Sequence, residues 1–229
     1  MKVKFSPSLM CMDLLNIERE IKTMNPKSDY YHVDIIDYHY CRNMSLAPCF
    51  MEQIKKITDV PMDAHLYVDN IDRELVQTCM DSGAEIITMP PDVIERQAII
   101  LMRQIKAAGK KVGIFINPAV RLEVIEPYAD MVDRLLIMTV DAGFAGQKFV
   151  PQSLDKIRQA KAWKRERGYT YEIAVDGCCN EAYYRQLYDA GTEVFIVGTS
   201  GLFSKDKDTA KALEITENLI NEALAVTIR

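Results

Sequence analysis

Apolar positions along the chain fall into two alternating periods. Short runs rich in β-branched residues recur at 3–8, 30–36, 62–68, 86–89, 111–116, 135–140, 171–175 and 194–197. Several are continuously apolar, which suits strands of a parallel sheet covered on both faces. Between them the period lengthens to that of amphipathic helices at 14–24, 50–57, 71–80, 93–108, 122–128, 153–167 and 181–189, with a last one at 209–225. Gly83, Gly109, Gly168 and Gly191 each follow a helical run and mark its stop. In the run at 153–167, Leu154, Ile157, Ala160 and Lys161 share a face, and basic residues crowd the final turn, complementing the helix dipole. Eight strands alternating with eight helices predict an α/β fold of the (β/α)₈ TIM-barrel type. A doubly wound open sheet shares the same pattern, and periodicity does not separate the two. No Gly/Ser/Pro-rich linker interrupts the alternation, so one domain is expected over residues 1–229. The stretch from 38 to 48 is long for a strand–helix connection and is a candidate lid.

Composition narrows the class. A chain of 229 residues sits at the short end of the range for such barrels and can build its own core. Hydrophobic residues make up 48% and charged residues 27%, an ordinary globular balance. No apolar stretch approaches the ~18 residues of a membrane span, and the first residues carry no leader pattern. With 28 basic against 33 acidic residues the net charge is -5, which argues against a nucleic-acid footprint. A cytoplasmic protein with no nucleic-acid or membrane partner is the expectation. The cysteines, at 11, 41, 49, 79, 178 and 179, form no Cys-x-x-Cys pair and read as reduced, packed thiols.

Barrel function resides at the strand C-termini, so polar residues there carry the most information. His32-Val-Asp34 and Asp63-Ala-His65 each place two polar side chains at i and i+2, on one face of a strand. Asp176-Gly177 ends the seventh strand run. His32, Asp34, His65 and Asp176 together could hold a divalent cation; a buried His–Asp hydrogen-bond network would use the same residues. A second cluster is rich in glycine: Gly143-Phe144-Ala145-Gly146, Asp176-Gly177 and Gly198-Thr199-Ser200-Gly201. Loops after the last strands of such barrels commonly cradle a phosphate with backbone amides, to which Thr199 and Ser200 add hydroxyls.

These residues belong to motifs that run through most of the chain: Ser6-Pro-Ser-Leu-Met10, His32-Val-Asp-Ile-Ile-Asp37, Asp63-Ala-His-Leu66, Met138-Thr-Val-Asp-Ala-Gly-Phe-Ala-Gly-Gln147, Val175-Asp-Gly177 and Val197-Gly-Thr-Ser-Gly-Leu-Phe203. In order and spacing the chain resembles the ribulose-phosphate 3-epimerase family. The stretches Asp176-Gly-Cys-Cys-Asn180 and Phe195–Phe203 resemble its allulose-6-phosphate branch, whereas the pentulose branch typically has Gly-Ser-Ala in the last loop. The resemblance implies an isomerase that inverts C3 of a ketose phosphate with one divalent metal ion (Zn, Mn, Co, Fe or Mg) and no organic cofactor. D-allulose 6-phosphate and D-fructose 6-phosphate are the expected pair, and D-ribulose 5-phosphate the alternative. Carried onto this sequence, His32, Asp34, His65 and Asp176 would be metal ligands, with Asp34 and Asp176 as the two acid/base carboxylates. Ser8 and His65 would contact the sugar, and Gly143, Phe144, Ala145, Gly146, Gly177, Cys178, Gly198, Thr199 and Ser200 would hold the phosphate. A homo-oligomer is also implied.

The chemistry accounts for those residue types. Inverting C3 removes a proton α to the C2 carbonyl and returns one to the opposite face, which two carboxylates accomplish when one is basic and the other protonated. A metal ion would stabilise the enediolate as a Lewis acid. The chain departs from the family pattern at several places. Tyr38 replaces a glycine, so its backbone must avoid positive φ or bear strain. Tyr67 and Ile36 replace methionines while Met138 is retained, Pro90 replaces a histidine, and Ala142 a proline. These departures bear on the sugar pocket rather than on the four ligands.

The remaining features read more plainly. His39, beside Tyr38 and Tyr40, is a rim residue; Asp37 is expected to anchor the loop after the second strand. Asp63 either orients His65 or caps its strand. Met24, Met80 and Met102 sit at core spacing, 161–167 is a solvated helix end, and Trp163 is a candidate oligomer contact. A sugar-phosphate lyase on the same fold would call for an Asp-x-Lys-x-x-Asp pattern, which is missing. A non-catalytic phosphate-binding barrel would not need all four ligand-type residues.

Overall fold

A computed structural model describes residues 3–225. Eight strands, β1 (Lys4–Pro7), β2 (Tyr31–Ile36), β3 (Met62–Tyr67), β4 (Ala84–Met89), β5 (Lys111–Ile116), β6 (Arg134–Met138), β7 (Glu172–Asp176) and β8 (Val194–Val197), form one parallel sheet. They pair in the order β1-β8-β7-β6-β5-β4-β3-β2. A parallel bridge between Ser8 and His32 brings the two ends together. The sheet is therefore a barrel, not an open doubly wound sheet.

The helices are α1 (Ile17–Met24), α2 (Pro48–Ile54), α3 (Arg73–Asp81), α4 (Pro91–Ile94), α5 (Ala98–Ala107), α6 (Ser153–Arg167), α7 (Tyr184–Ala190) and α8 (Thr209–Ala225). None of the described helices is long and apolar enough to cross a membrane. Local chemistry sets several of their ends. Asp72 caps α3 by accepting the Leu75 N–H at 2.8 Å. Gly168 ends α6 in the left-handed conformation, φ 72, just past Lys164, Arg165 and Arg167.

Two predicted helices differ from the structure. The run at 93–108 is broken into α4 and α5, because Gln97 leaves helical geometry (φ -140) and its side chain donates to the Ile71 carbonyl at 2.5 Å. The run at 122–128 is a 3₁₀ segment, Leu122–Met131, with Pro127 inside it and Tyr128 at φ -145. Proline removes a backbone donor there, so a regular α-helix does not propagate. On α6, Leu154, Ile157 and Ala160 are buried but Lys161 is exposed. Trp163, expected at an oligomer contact, is instead packed into the core at 6% exposure, with the Arg167 guanidinium 4.3 Å above its ring.

Strand alternation builds two cores. Residues facing outward, among them Val33, Leu66, Ile114, Leu135, Ile137 and Val175, pack against the helices. Those facing inward, including Ile36, Tyr67, Ile86, Phe115, Leu136, Met138, Ala174 and Ile196, fill the barrel. Polar side chains interrupt the inward set at His32, Asp34, Asp63, His65, Thr88 and Arg134, all buried. Burying them unpaired would cost several kcal/mol each, so the barrel axis must satisfy or use them.

Candidate functional site

The register of β2 against β3 sets Asp34 beside His65. The β6–β7 pairing ends at Met138 opposite Asp176, so the third carboxylate strand delivers Asp176 to the same mouth. One ligand-type atom from each of His32, Asp34, His65 and Asp176 lies within 4.8 Å of all the others. His32 Nε2 is 3.2 Å from Asp34 Oδ1 and 3.7 Å from Asp176 Oδ2. His65 Nδ1 is 3.3 Å from Asp34 Oδ1 and 3.8 Å from Asp176 Oδ2. Four ligands about 2.1 Å from a tetrahedral centre would be ~3.4 Å apart, so these four edges fit a metal ion. The edge from His32 Nε2 to His65 Nδ1 is shorter, 2.7 Å. Two imidazole lone pairs at that distance repel unless a proton or cation is shared between them. The donor set of two imidazoles and two carboxylates matches a first-row divalent ion.

The surroundings push the two carboxylates in opposite directions. Burial favours the neutral form of Asp34, yet the adjoining His32 and His65 outweigh it and hold the carboxyl far below the usual carboxylate range. Ser8 Oγ also donates to Asp34 Oδ2 at 2.8 Å. Asp176 moves the other way: burial lifts it, His32 opposes, and the negative Asp34 adds to the lift. Its Oδ1 accepts the Gly177 N–H at 2.6 Å. His32 is raised well above its ordinary value, since Asp34, Asp63 and Asp176 outweigh the effect of burial.

Beneath the ligands, Asp63 faces His32 rather than His65. Its Oδ2 lies 3.8 Å from His32 Nδ1 and accepts from Arg134 Nη1 at 3.0 Å, while Oδ1 accepts from Thr88 at 2.6 Å. Arg134 continues to Glu172 at 2.9 Å, with the Tyr30 ring 4.1 Å from its guanidinium carbon. Glu172 in turn pairs with Lys4. Burial pushes the Asp63 carboxyl up, but His32, Arg134 and Thr88 prevail and lower it to about 2.

A cleft opens above the side chains of His32, Asp34, His65 and Asp176. Of the residues expected to bind substrate, Ser8, Gly143, Phe144, Ala145, Gly146, Asp176, Gly177, Gly198, Thr199 and Ser200 all line it. His65 lies fully buried below, and Cys178 is not in the lining. The Cys178 N–H is already given to Thr139 Oγ1 at 2.8 Å, so it is not free for a phosphate oxygen. Gly177 has φ 106, and a Cβ there would meet Val140 Cγ2 at 2.7 Å, so the turn after Asp176 requires glycine.

The 38–48 loop packs against the glycine-rich loop that lines the cleft, with Cys41 beside Gly143. Asp37 anchors it: Oδ1 accepts the His39 and Tyr40 N–H groups at 2.8 and 3.1 Å, and Oδ2 the Asp69 N–H at 3.0 Å. Tyr38 takes φ 70, the one positive value among the described non-glycine residues, so of the two courses open to it the loop bears strain rather than avoiding positive φ. Asn43 Nδ2 donates to the Gly143 carbonyl at 2.6 Å, tying this loop to the glycine-rich one. His39 is exposed at the rim.

Sequence reasoning did not assign Thr139, which bonds both the Cys178 N–H and the Asp176 carbonyl. Nor did it assign Arg134 or Asn180, whose Nδ2 reaches Ser200 Oγ at 3.2 Å. Met10, Cys11, Val140 and Asp141 also line the cleft. Period-2 extension of the inward set, from Asp63 and His65 to Tyr67 and from Leu136 to Arg134, is the signal that finds part of this group.

Similar proteins place the chain. The Ribulose-phosphate 3 epimerase family model matches residues 4–203. A ribulose-phosphate 3-epimerase of Methanocaldococcus jannaschii is 33% identical over 97% of this chain and 93% of its own. That of Mycobacterium tuberculosis is 32% identical over 90% and 89%, and that of Escherichia coli 32% over 85% and 87%. Among solved structures, 3-hexulose-6-phosphate synthase from Salmonella typhimurium superimposes with a TM-score of 0.68 over 96% of this chain and 99% of that one. At 15% identity that likeness shows the barrel fold alone. With the family model matched from the first strand to the last and relatives of one name aligned over most of both chains, the chain is an epimerase belonging to the ribulose-phosphate 3-epimerase family.

Proposed function

We propose that the chain interconverts D-allulose 6-phosphate and D-fructose 6-phosphate by inverting C3, with a divalent metal ion held by His32, Asp34, His65 and Asp176. The observation that carries this reading is the juxtaposition of four ligand atoms within 4.8 Å, two of them from carboxylates pushed toward opposite proton states. When bound, the ion would supply Lewis-acid stabilisation of charge developing on the ketose oxygens. The chain's own residues do the rest. Asp34, kept ionised and oriented by Ser8, takes the C3 proton of one epimer. Asp176, holding a proton, returns one from the other side, and the roles reverse for the back reaction. Backbone groups of Gly143–Gly146 and Gly198–Ser200 hold the phosphate, and that remote binding energy orients C3.

The hexulose assignment rests on Asp176-Gly-Cys-Cys-Asn180 and on Gly198-Thr-Ser-Gly-Leu-Phe203 in the phosphate-facing loops. The names of the relatives favour a second reading, the same chemistry on D-ribulose 5-phosphate. Comparing kcat/KM on the two substrate pairs with metal-reconstituted enzyme tests the assignment. Higher efficiency on the hexulose phosphates is expected; a faster pentulose reaction removes the hexulose reading and keeps the mechanism.

A further inference from the structure

We propose that Tyr67 is a positioning residue for Asp176: its hydroxyl, carried across the barrel mouth from β3, hydrogen-bonds the carboxylate and fixes its orientation for proton transfer. β3 alternation points Asp63, His65 and Tyr67 to the barrel axis. The Tyr67 ring is 3% exposed and wedged against His65 at 4.1 Å, Phe115 at 5.0 Å and Tyr40 at 5.9 Å between centroids. So held, the ring has one direction for its hydroxyl. The oxygen reaches the β6–β7 side, 3.3 Å from Met138 Sδ and 3.5 Å from Asp176 Oδ2. A thioether is a weak acceptor and a carboxylate a strong one, so the single phenolic proton is directed to Asp176.

The arrangement gives each carboxylate its own hydroxyl donor. Ser8 serves Asp34 at 2.8 Å, and Tyr67 serves Asp176. Oδ2 of Asp176 is also the oxygen that faces His32 and His65, so the bond acts on the functional end of the group. A methionine at 67, the residue in the family pattern, has no proton to give.

The inference rests on the two-carboxylate reading, in which each epimer loses its C3 proton to a different carboxylate. Removing the hydroxyl should therefore slow only the step at Asp176. Tyr67→Phe keeps the ring packing and deletes the donor. Its kcat should fall roughly tenfold, the lower end for a hydrogen bond to a charged group, with KM within about threefold. The diagnostic readout is the C3-deuterium isotope effect on kcat/KM measured from each epimer. It should rise for the epimer deprotonated by Asp176 and fall for the other, because one step has become more rate-limiting. A merely structural role would not move the two in opposite directions. Metal affinity, followed by calorimetric titration with Mn²⁺, should weaken by up to about tenfold, since Tyr67 is an outer partner of the Asp176 carboxylate, so the isotope effects are compared at saturating Mn²⁺. Isotope effects that stay unchanged or shift together in Tyr67→Phe overturn the role of Tyr67 alone. A parent enzyme that exchanges no C3 proton of either ketose phosphate overturns the functional reading, and this inference with it.

Discussion

Asp63→Asn removes one charge from an ion pair closed to water. Asp63 and Arg134 are 0% and 1% exposed and lie 3.0 Å apart. An asparagine at 63 can still accept from Thr88 but offers Arg134 no charge, leaving the guanidinium with Glu172 at 2.9 Å. Removing one partner of a buried ion pair costs about 3–5 kcal/mol, because the other charge stays desolvated. The surviving Glu172 contact puts the expected loss near the lower end, about 3 kcal/mol, or roughly 6–12 °C in Tm for a chain of this length. A second effect follows from the 3.8 Å approach of Asp63 to His32 Nδ1. Outer partners of ligand histidines are typically worth 10–100-fold in metal affinity, so weaker Mn²⁺ binding in that range is expected. Thermal unfolding by circular dichroism and calorimetric metal titration read the two effects separately. The double variant Asp63→Asn, Arg134→Met, which takes away both charges, should recover more than half of the lost stability. A single variant whose Tm stays within about 2 °C of the parent, with unchanged metal affinity, would refute the reasoning.

Other expectations follow from the same geometry. The Asp63 carboxyl is depressed to about 2 in the folded protein, so its contribution is fully present above the unfolded value near 3.8 and is lost as pH falls from there toward 2. That contribution is roughly 2 kcal/mol, and the acid limb of a Tm-against-pH curve should be shallower in Asp63→Asn than in the parent. Tyr38→Gly relieves a left-handed tyrosine, worth ~1–2 kcal/mol. It also incurs glycine's entropy cost and loses an exposed contact with the Arg42 guanidinium, 5.4 Å from the Tyr38 ring centre, for a net gain of about 0.5 kcal/mol, readable in urea unfolding; a loss would show that the entropy cost and the contact outweigh the strain. Asp34→Asn and Asp176→Asn should each fold, with kcat at least ~10²-fold lower, and full activity in either would defeat the two-carboxylate mechanism.

Much of the site was legible in the sequence because strand periodicity is rigid. His32 with Asp34, and Asp63 with His65, are i, i+2 pairs, and that spacing alone puts each pair on one face. Barrel closure was not legible, since a Ser8–His32 bridge depends on the accumulated curvature of eight strands. Nor was the partner of Asp63: Arg134 is 71 residues away and opens a run that otherwise reads as a plain buried strand. The break at Gln97 escaped notice because apolar spacing continues through it, while its cause is a side-chain bond to Ile71 on another segment. Trp163 looked like a surface residue among lysines and arginines, but its place on the α6 face carries it inward beneath Arg167. Tyr38 was the intermediate case: a tyrosine in a glycine position left avoidance of positive φ and strain both open, and the backbone takes positive φ.

The central claim is that two carboxylates move a proton at C3 of a ketose phosphate. The most direct test follows the C3 proton of fructose 6-phosphate, and of ribulose 5-phosphate, by NMR in D₂O with metal-reconstituted enzyme. Loss of the C3 signal in step with formation of the epimer is the expected result, fastest on the hexulose. Absence of exchange on both sugars, with Mn²⁺ bound stoichiometrically, would contradict the account.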